Sequence, residues 1–149
     1  MRIVIQRVSH AEVTVDGEVV GATREGILAL VGFGAKDTEE SFPPLLEKMV
    51  NLRIFSDERG KFQFSLLDRK GELLLVPQFT LYADTSRGRR PGFDSALAPE
   101  KARNLFDQMA ARAQELPLGK VATGKFGAHM KVSLLNDGPV TILLDSENP

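Results

Sequence analysis

The 149 residues carry 19 basic and 20 acidic side chains and no cysteine. That length fits one domain, 1-149, and buries enough apolar surface to need no covalent staple. The lack of thiols excludes disulfides, thiolate metal centres and a cysteine nucleophile, and the formal net charge of −1 excludes a general nucleic-acid coat protein, whose affinity comes from many phosphate-neutralising cations.

The N-terminal third reads as β structure. Ile3, Ile5 and Val8 alternate with polar partners instead of forming the continuous apolar core of a signal peptide, and no stretch approaches the roughly 18 apolar residues of a membrane span. A cytoplasmic protein without membrane contact is expected. Asp16-Gly17, flanked by Val13, Val15, Val19 and Val20, is a two-residue hairpin signal. The continuous apolar run Gly26 to Phe33 suits a buried central strand.

A helix follows, with Thr38 or Ser41 near its start, Pro43 and Pro44 in the first turn, and Leu45, Leu46, Met49, Val50 and Leu52 on its apolar face. Arg53-Ile54-Phe55 predicts a short strand, Asp57 to Gly60 a turn, Phe62 to Leu66 an alternating strand, and Glu72 to Val76 a buried one that runs straight into Pro77-Gln78-Phe79-Thr80. Ala83 to Asp94 is too rich in glycine, proline and charge to pack, and forms a loop with Arg87, Arg89 and Arg90.

Pro99 opens a long helix whose residues Ala102, Leu105, Phe106, Met109, Ala110 and Ala113 keep helical spacing until Pro117 ends it. Lys120 to Gly127 is strand, then loop. Asn136-Asp137-Gly138-Pro139-Val140-Thr141 reads as a tight turn joining strand Lys131 to Leu135 with strand Val140 to Leu144 in a hairpin. The fold class is α/β: a single domain with a mixed, largely antiparallel sheet curled toward a barrel and two main helices.

No nucleophile elbow, zinc-binding His-Glu-x-x-His, phosphate-binding loop or dinucleotide fingerprint is present. His10 and His129 are the available imidazoles, each placed where a surface or strand role suffices, so neither a histidine triad nor a metal site is expected, and no cofactor. Two stretches remain. At Gln78-Phe79-Thr80, amide groups leaving the sheet, a side-chain amide and a hydroxyl can converge as an oxyanion hole requires, or Thr80 can simply cap a short turn. At Gly138-Pro139, the rigid carbonyls either complete a turn or are presented to something outside it.

Taken together, Leu75-Val76-Pro77-Gln78-Phe79-Thr80-Leu81, Arg89-Arg90-Pro91-Gly92-Phe93, Thr123-Gly124-Lys125-Phe126-Gly127-Ala128 and Asn136-Asp137-Gly138-Pro139-Val140-Thr141 resemble, in order and spacing, the D-aminoacyl-tRNA deacylases. Ile5-Gln6-Arg7-Val8 and Leu52-Arg53-Ile54-Phe55-Ser56 extend the resemblance over nearly the whole chain. It implies a homodimer with active sites at the subunit interface. The implied activity is hydrolysis of the ester joining a D-amino acid, or glycine, to the aminoacylated tRNA acceptor end, with L-aminoacyl-tRNA rejected. Gln78, Phe79 and Thr80 would form the catalytic platform. Gly138 and Pro139, joined by a cis bond, would enter the partner's pocket as the chirality filter.

An aminoacyl ester is already activated and has a ribose 2′-hydroxyl beside it, so positioning and oxyanion stabilisation can suffice without a protein base. Thr80 as a covalent nucleophile is the other route. Arg87, Arg89, Arg90 and Lys125 are candidate tRNA phosphate contacts, or a solvated charged loop. Pro77 stands where the family pattern has serine, Gly92 replaces a serine, and His129 an aspartate. Phe79 is retained, so strict D-selectivity is expected. A non-catalytic tRNA acceptor-end or nucleotide-binding module of the same fold is the alternative.

Overall fold

The computed structural model describes residues 1–148. Its sheet is organised by β1 (Arg2–Val15), a 14-residue strand long enough to serve two neighbours along one edge. Arg2 to Val8 pair antiparallel with β3 (Gly26–Gly32), and Ala11 to Val15 pair antiparallel with β2 (Glu18–Thr23). The hairpin between β1 and β2 turns at Asp16 and Gly17, whose φ angles of 51° and 79° match the inverted turn that a right-twisted hairpin favours. β3 continues into parallel pairs with β6 (Glu72–Pro77), and β6 with β7 (Lys120–Thr123). The sheet is therefore mixed, antiparallel around β1 and parallel where helices cross over.

Alternation along the central strands separates two apolar layers. Ile27, Ala29 and Val31 of β3 and Leu73 and Leu75 of β6 face the helices, whereas Leu28 and Leu74 turn inward to Val8, Ala11 and Val13. α1 (Phe42–Asn51) and α3 (Pro99–Gln114) cover the first layer with Leu45, Leu46, Met49 and Val50, and with Leu105, Phe106, Met109 and Ala113. Each such large side chain contributes about 1.5–3 kcal/mol on burial. The second layer fills the inside of a nearly closed barrel. β2 curls onto β7 so closely that a Cβ at Gly21 would lie 2.4 Å from the Thr123 carbonyl oxygen, a contact only glycine permits.

Three expectations need correction. The strand expected over Arg53 to Phe55 is displaced to β4 (Phe55–Ser56), and the one expected over Phe62 to Leu66 stops at β5 (Phe62–Phe64). Ser65 instead caps a short third helix, α2 (Leu66–Arg69): its hydroxyl accepts the Asp68 N–H at 3.1 Å, and the Asp68 carboxylate accepts the Ser65 N–H at 2.8 Å. Those Ser65 hydrogen bonds hold the Asp68 carboxyl below its ordinary range.

The third correction is the largest. β8 (Lys131–Asp145) is one strand, not two arms of a hairpin, and it pairs antiparallel with β1 on both sides of the Gly-Pro dipeptide. Lys131 to Leu135 face Thr14 to His10, and Thr141 to Asp145 face Gln6 to Arg2. The turn signal was real, but its product is a bulge that leaves strand direction unchanged.

Candidate active site

The C-terminal end of β6 makes the first half of the site. Its last ladder bond runs from the Gln78 N–H to the Val31 carbonyl at 2.7 Å. The backbone then tightens into a 3-10 turn over Phe79–Tyr82, and the first N–H groups of such a turn have no internal acceptor. Neither the Phe79 nor the Thr80 N–H finds one among the described residues. The Gln78 side-chain amide donates to the Thr80 hydroxyl, so amide, hydroxyl and two free N–H groups share one short stretch. Thr80 does not cap the turn; Gln78 occupies that position, without a side-chain cap.

The turn is held from behind. Arg2 donates to the Leu81 carbonyl at 2.9 Å, pairs with Asp145 at 3.0 Å and lies 4.6 Å from the centre of the Tyr82 ring. Burial, reinforced by the negative charge of Asp37 and partly offset by Arg2, pushes the Tyr82 phenol above its ordinary range.

Beside the turn is a pocket of about 370 Å³. It is lined by Pro77, Gln78 and Phe79, by Phe93, Ala96, Leu97 and Ala98, by Phe126 and Gly127, and by Pro99 and Ala102 of α3. Main-chain bonds fix segment 93–98 to the end of β3: Ala35 N–H to the Ser95 carbonyl at 2.9 Å, and Leu97 N–H to the Phe33 carbonyl at 3.0 Å. Phe79 and Phe93 meet edge to face at 4.9 Å, leaving Phe79 56% exposed at the rim. The enclosure is apolar and aromatic with polar groups at one edge, the usual composition of a small-molecule site.

The second half is the bulge in β8. Val8 faces Asn136 and Gln6 faces Thr141, so Arg7 alone opposes Asp137, Gly138, Pro139 and Val140. The surplus backbone loops outward and exposes Asp137, Gly138 and Pro139, with a cis bond between the last two. Gly138 has φ 151°, and a Cβ there would lie 2.8 Å from the Val140 nitrogen and 3.1 Å from an Arg7 nitrogen. Arg7 supports the loop from below: its Nε donates to the Asp137 carbonyl at 2.7 Å and its Nη1 to the Ile54 carbonyl at 2.6 Å. Asn136 closes the neck, accepting the Val140 N–H at 2.8 Å and donating to the Val140 carbonyl at 3.1 Å.

The two halves do not meet within one chain. Arg7 under the loop pairs with Ile27, at the start of β3, whereas Pro77 pairs with Val31, near its end. Those positions are four residues apart, roughly 13 Å along the strand. Arg87, Arg89 and Arg90 lie on an exposed loop closed by the Asp84–Gly92 bridge, and Lys125 is exposed beside the pocket wall. His10 and His129 do not line the pocket, and no group of three potential metal ligands forms among the described residues. Sequence reasoning missed the supporting residues Arg2, Arg7 and Asn136. Arg7 and Asn136 stand within motifs of the resemblance, but nothing in the sequence marks them as supports, and Arg2 reads as ordinary strand surface.

Comparison with known proteins places this geometry among relatives. Residues 4–145 match the family described as D-Tyr-tRNA(Tyr) deacylase. A D-aminoacyl-tRNA deacylase of Roseiflexus sp. (strain RS-1) is 58% identical over 146 residues, covering 98% of this chain and 94% of the relative. The same-named protein of Thermosipho melanesiensis is 50% identical over 147 residues, covering 99% and 98%. Among solved structures, one described as c-Myc DNA Unwinding Element Binding Protein superposes with TM-score 0.91 at 39% identity, covering 97% and 98%. A second, described as a "probable eukaryotic D-amino acid tRNA deacylase", shares the fold with TM-score 0.83 at 17% identity, covering 96% and 97%.

Proposed function

The chain belongs to the D-Tyr-tRNA(Tyr) deacylase family, and we propose accordingly that it hydrolyses the ester of D-aminoacyl-tRNA, releasing free D-amino acid and tRNA in the cytoplasm and rejecting L-aminoacyl-tRNA. The observation that carries this reading is the pair of acceptor-free N–H groups on Phe79, which lines an apolar pocket, and on its neighbour Thr80. Water attacks the ester carbonyl, the two N–H groups hold the oxyanion as the tetrahedral intermediate forms, and the 2′-hydroxyl of the terminal ribose helps activate the water. Collapse returns the electron pair to the carbonyl and expels the ribose 3′-oxygen, which leaves protonated. Donors fixed before the reaction stabilise charge without reorganising, an effect worth about 10²–10³ in rate for one donor. The apolar slot among Phe79, Phe93 and Phe126 suits the flat terminal adenine.

Chirality is read by the Gly138-Pro139 loop of a partner subunit. L and D substrates carry identical groups, so selection needs a wall at one side of Cα, and main-chain atoms supply it whatever side chain the substrate bears. A partner's loop is favoured over the same chain's, which lies at the far end of β3 from the pocket. A homodimer with shared sites is supported by the exposed apolar residues Leu135 and Leu143, which flank the loop on β8. Glycine has no Cβ to strike the wall, so glycyl-tRNA is also released. Arg87, Arg89 and Arg90, with Lys125, contact phosphates of the acceptor end.

The test is ester release from D-Tyr-tRNA and L-Tyr-tRNA, repeated with tRNA ending in 2′-deoxyadenosine. Release from the D-ester alone, and its loss without the 2′-hydroxyl, is the expected result. Release from neither ester contradicts the reading and leaves a non-catalytic tRNA-end or nucleotide-binding module.

A further inference from the structure

A strand that loops out four residues against one ordinarily loses its ladder bonds there, and the loop is free to slide or fold back. β8 does not. Its Asn136 side chain takes the place of the missing strand neighbour: Oδ1 accepts the Val140 N–H at 2.8 Å while Nδ2 donates to the Val140 carbonyl at 3.1 Å and to the Thr141 hydroxyl at 3.0 Å. The Thr141 hydroxyl is also within 3.4 Å of the Gln6 side-chain amide on β1, so the neck is tied to the neighbouring strand. The amide thus satisfies both main-chain groups of Val140, whose side chain is buried and anchors the returning limb. Only an uncharged amide fits. A carboxylate keeps the bond from the Val140 N–H and can accept from the Thr141 hydroxyl, but it sets an acceptor oxygen against the Val140 carbonyl where the amide donates.

We infer that Asn136 is a specificity-determining positioning residue: by clamping both main-chain groups of Val140 across the neck, it fixes how far Gly138-Pro139 projects, and hence how strictly L-substrates are refused. This rests on the reading of that loop as the chirality filter. Asn136 acts through the loop and touches neither substrate nor reacting atoms. Excluding a group at Cα is a matter of sub-ångström placement, and misplacement by about 1 Å can cost 10²-fold. Loosening the neck therefore moves selectivity more than rate.

The experiment compares kcat/KM for D-Tyr-tRNA and L-Tyr-tRNA in the wild-type dimer and in Asn136→Asp, Thr141→Val and Pro139→Ala. The D:L ratio is expected to fall at least tenfold in Asn136→Asp and severalfold in Thr141→Val, which removes one bond of the three and keeps the fold should Asn136→Asp fail to assemble. Thr141→Ser, which restores the hydroxyl, is expected to recover the ratio. A purely structural role would lower both rates together and the Tm with them, leaving the ratio at its wild-type value. That result in Asn136→Asp, or in Thr141→Val if the first does not fold, overturns the inference alone when Pro139→Ala loses selectivity. If Pro139→Ala is as selective as the wild type, the filter reading itself falls and takes the inference with it.

Discussion

The Gln78–Thr80 turn and the Gly138-Pro139 loop both present main-chain atoms to the outside, but their chemistry is opposite. The turn offers donors, left free because β6 stops pairing at Gln78 and a tighter helix begins. The loop offers exposed main chain and a proline ring, looped out because β8 carries more residues than β1 can match. The turn gets its order from local backbone geometry with Arg2 bracing its far end at the Leu81 carbonyl, and the loop from side chains gripping it at Arg7 and Asn136. Main-chain atoms suit both tasks because they are indifferent to which side chain the substrate carries. Damage to the turn should therefore cost rate, and damage to the loop should cost selectivity.

The severest challenge to that division is Phe79→Pro. Proline is compatible with the first position of a helical turn but has no N–H, so it deletes one donor with little change of backbone path. The expected loss in kcat is about 10²–10³, with D-preference retained. Phe79→Ala, which keeps the donor and loses the ring against Phe93, is expected to raise KM more than it lowers kcat. Equal losses in the two variants would mean that the ring, not the N–H, is what matters.

Gly138→Ala attacks the other region. A methyl group there meets Val140 and Arg7 at 2.8 and 3.1 Å, on a backbone with φ 151° that side chains avoid. The loop must shift, and the D:L ratio is expected to fall by about tenfold or more while single-turnover release from the D-ester changes less. A loss confined to the D-ester would contradict the division. Thr80→Ala then distinguishes hydroxyl from amide: about tenfold slower release at most is expected, since the Thr80 N–H remains, whereas a covalent nucleophile would leave no activity.

Smaller effects follow from charge. Replacing Arg87, Arg89 and Arg90 by alanine is expected to raise KM severalfold and flatten its dependence on salt, by about 0.7–0.9 in the log–log slope for each phosphate no longer neutralised. Hydrolysis of a minimal aminoacyl-adenosine should be untouched. Tyr82 sets the smallest. Its phenol titrates above its ordinary value near 10 in the folded protein. The stability it contributes is therefore complete below about pH 10 and lost as pH rises past that value, because the unfolded chain releases the proton first. Melting curves between pH 8 and 11 should show a steeper fall for the wild type than for Tyr82→Phe.

Much of this architecture could be read in the residues themselves. Continuous apolar runs at Gly26 to Phe33 and Glu72 to Val76 announced the central strands, Asp16-Gly17 the hairpin, and the Pro99 helix its own start. The dipeptides at both halves of the site were visible for the same reason: glycine, proline and a break in alternation are local. What was not visible is what depends on pairing. That the limbs on either side of Gly138-Pro139 lie against one strand, not each other, is decided by β1, more than a hundred residues away. The supporting roles of Arg7 and Asn136 were illegible because their partners are main-chain carbonyls and amides, which every residue has. α2 was missed although Ser65-x-x-Asp68 carries a capping signature, because the alternation of Phe62 and Phe64 into Leu66 mimics a continuing strand.

The proposed completion of each pocket by the other subunit's loop underlies every prediction about selectivity. A single heterodimer puts it to the test: one chain carries Phe79→Pro with an intact loop, and its partner carries Gly138→Ala with an intact turn. Sharing across the interface leaves one intact site, the partner's turn facing the first chain's loop, so D-Tyr-tRNA should be hydrolysed at about half the wild-type rate with L-Tyr-tRNA refused. Release of L-Tyr-tRNA at about half the level of the Gly138→Ala homodimer would mean that the loop acts within its own chain, and that the shared site does not exist.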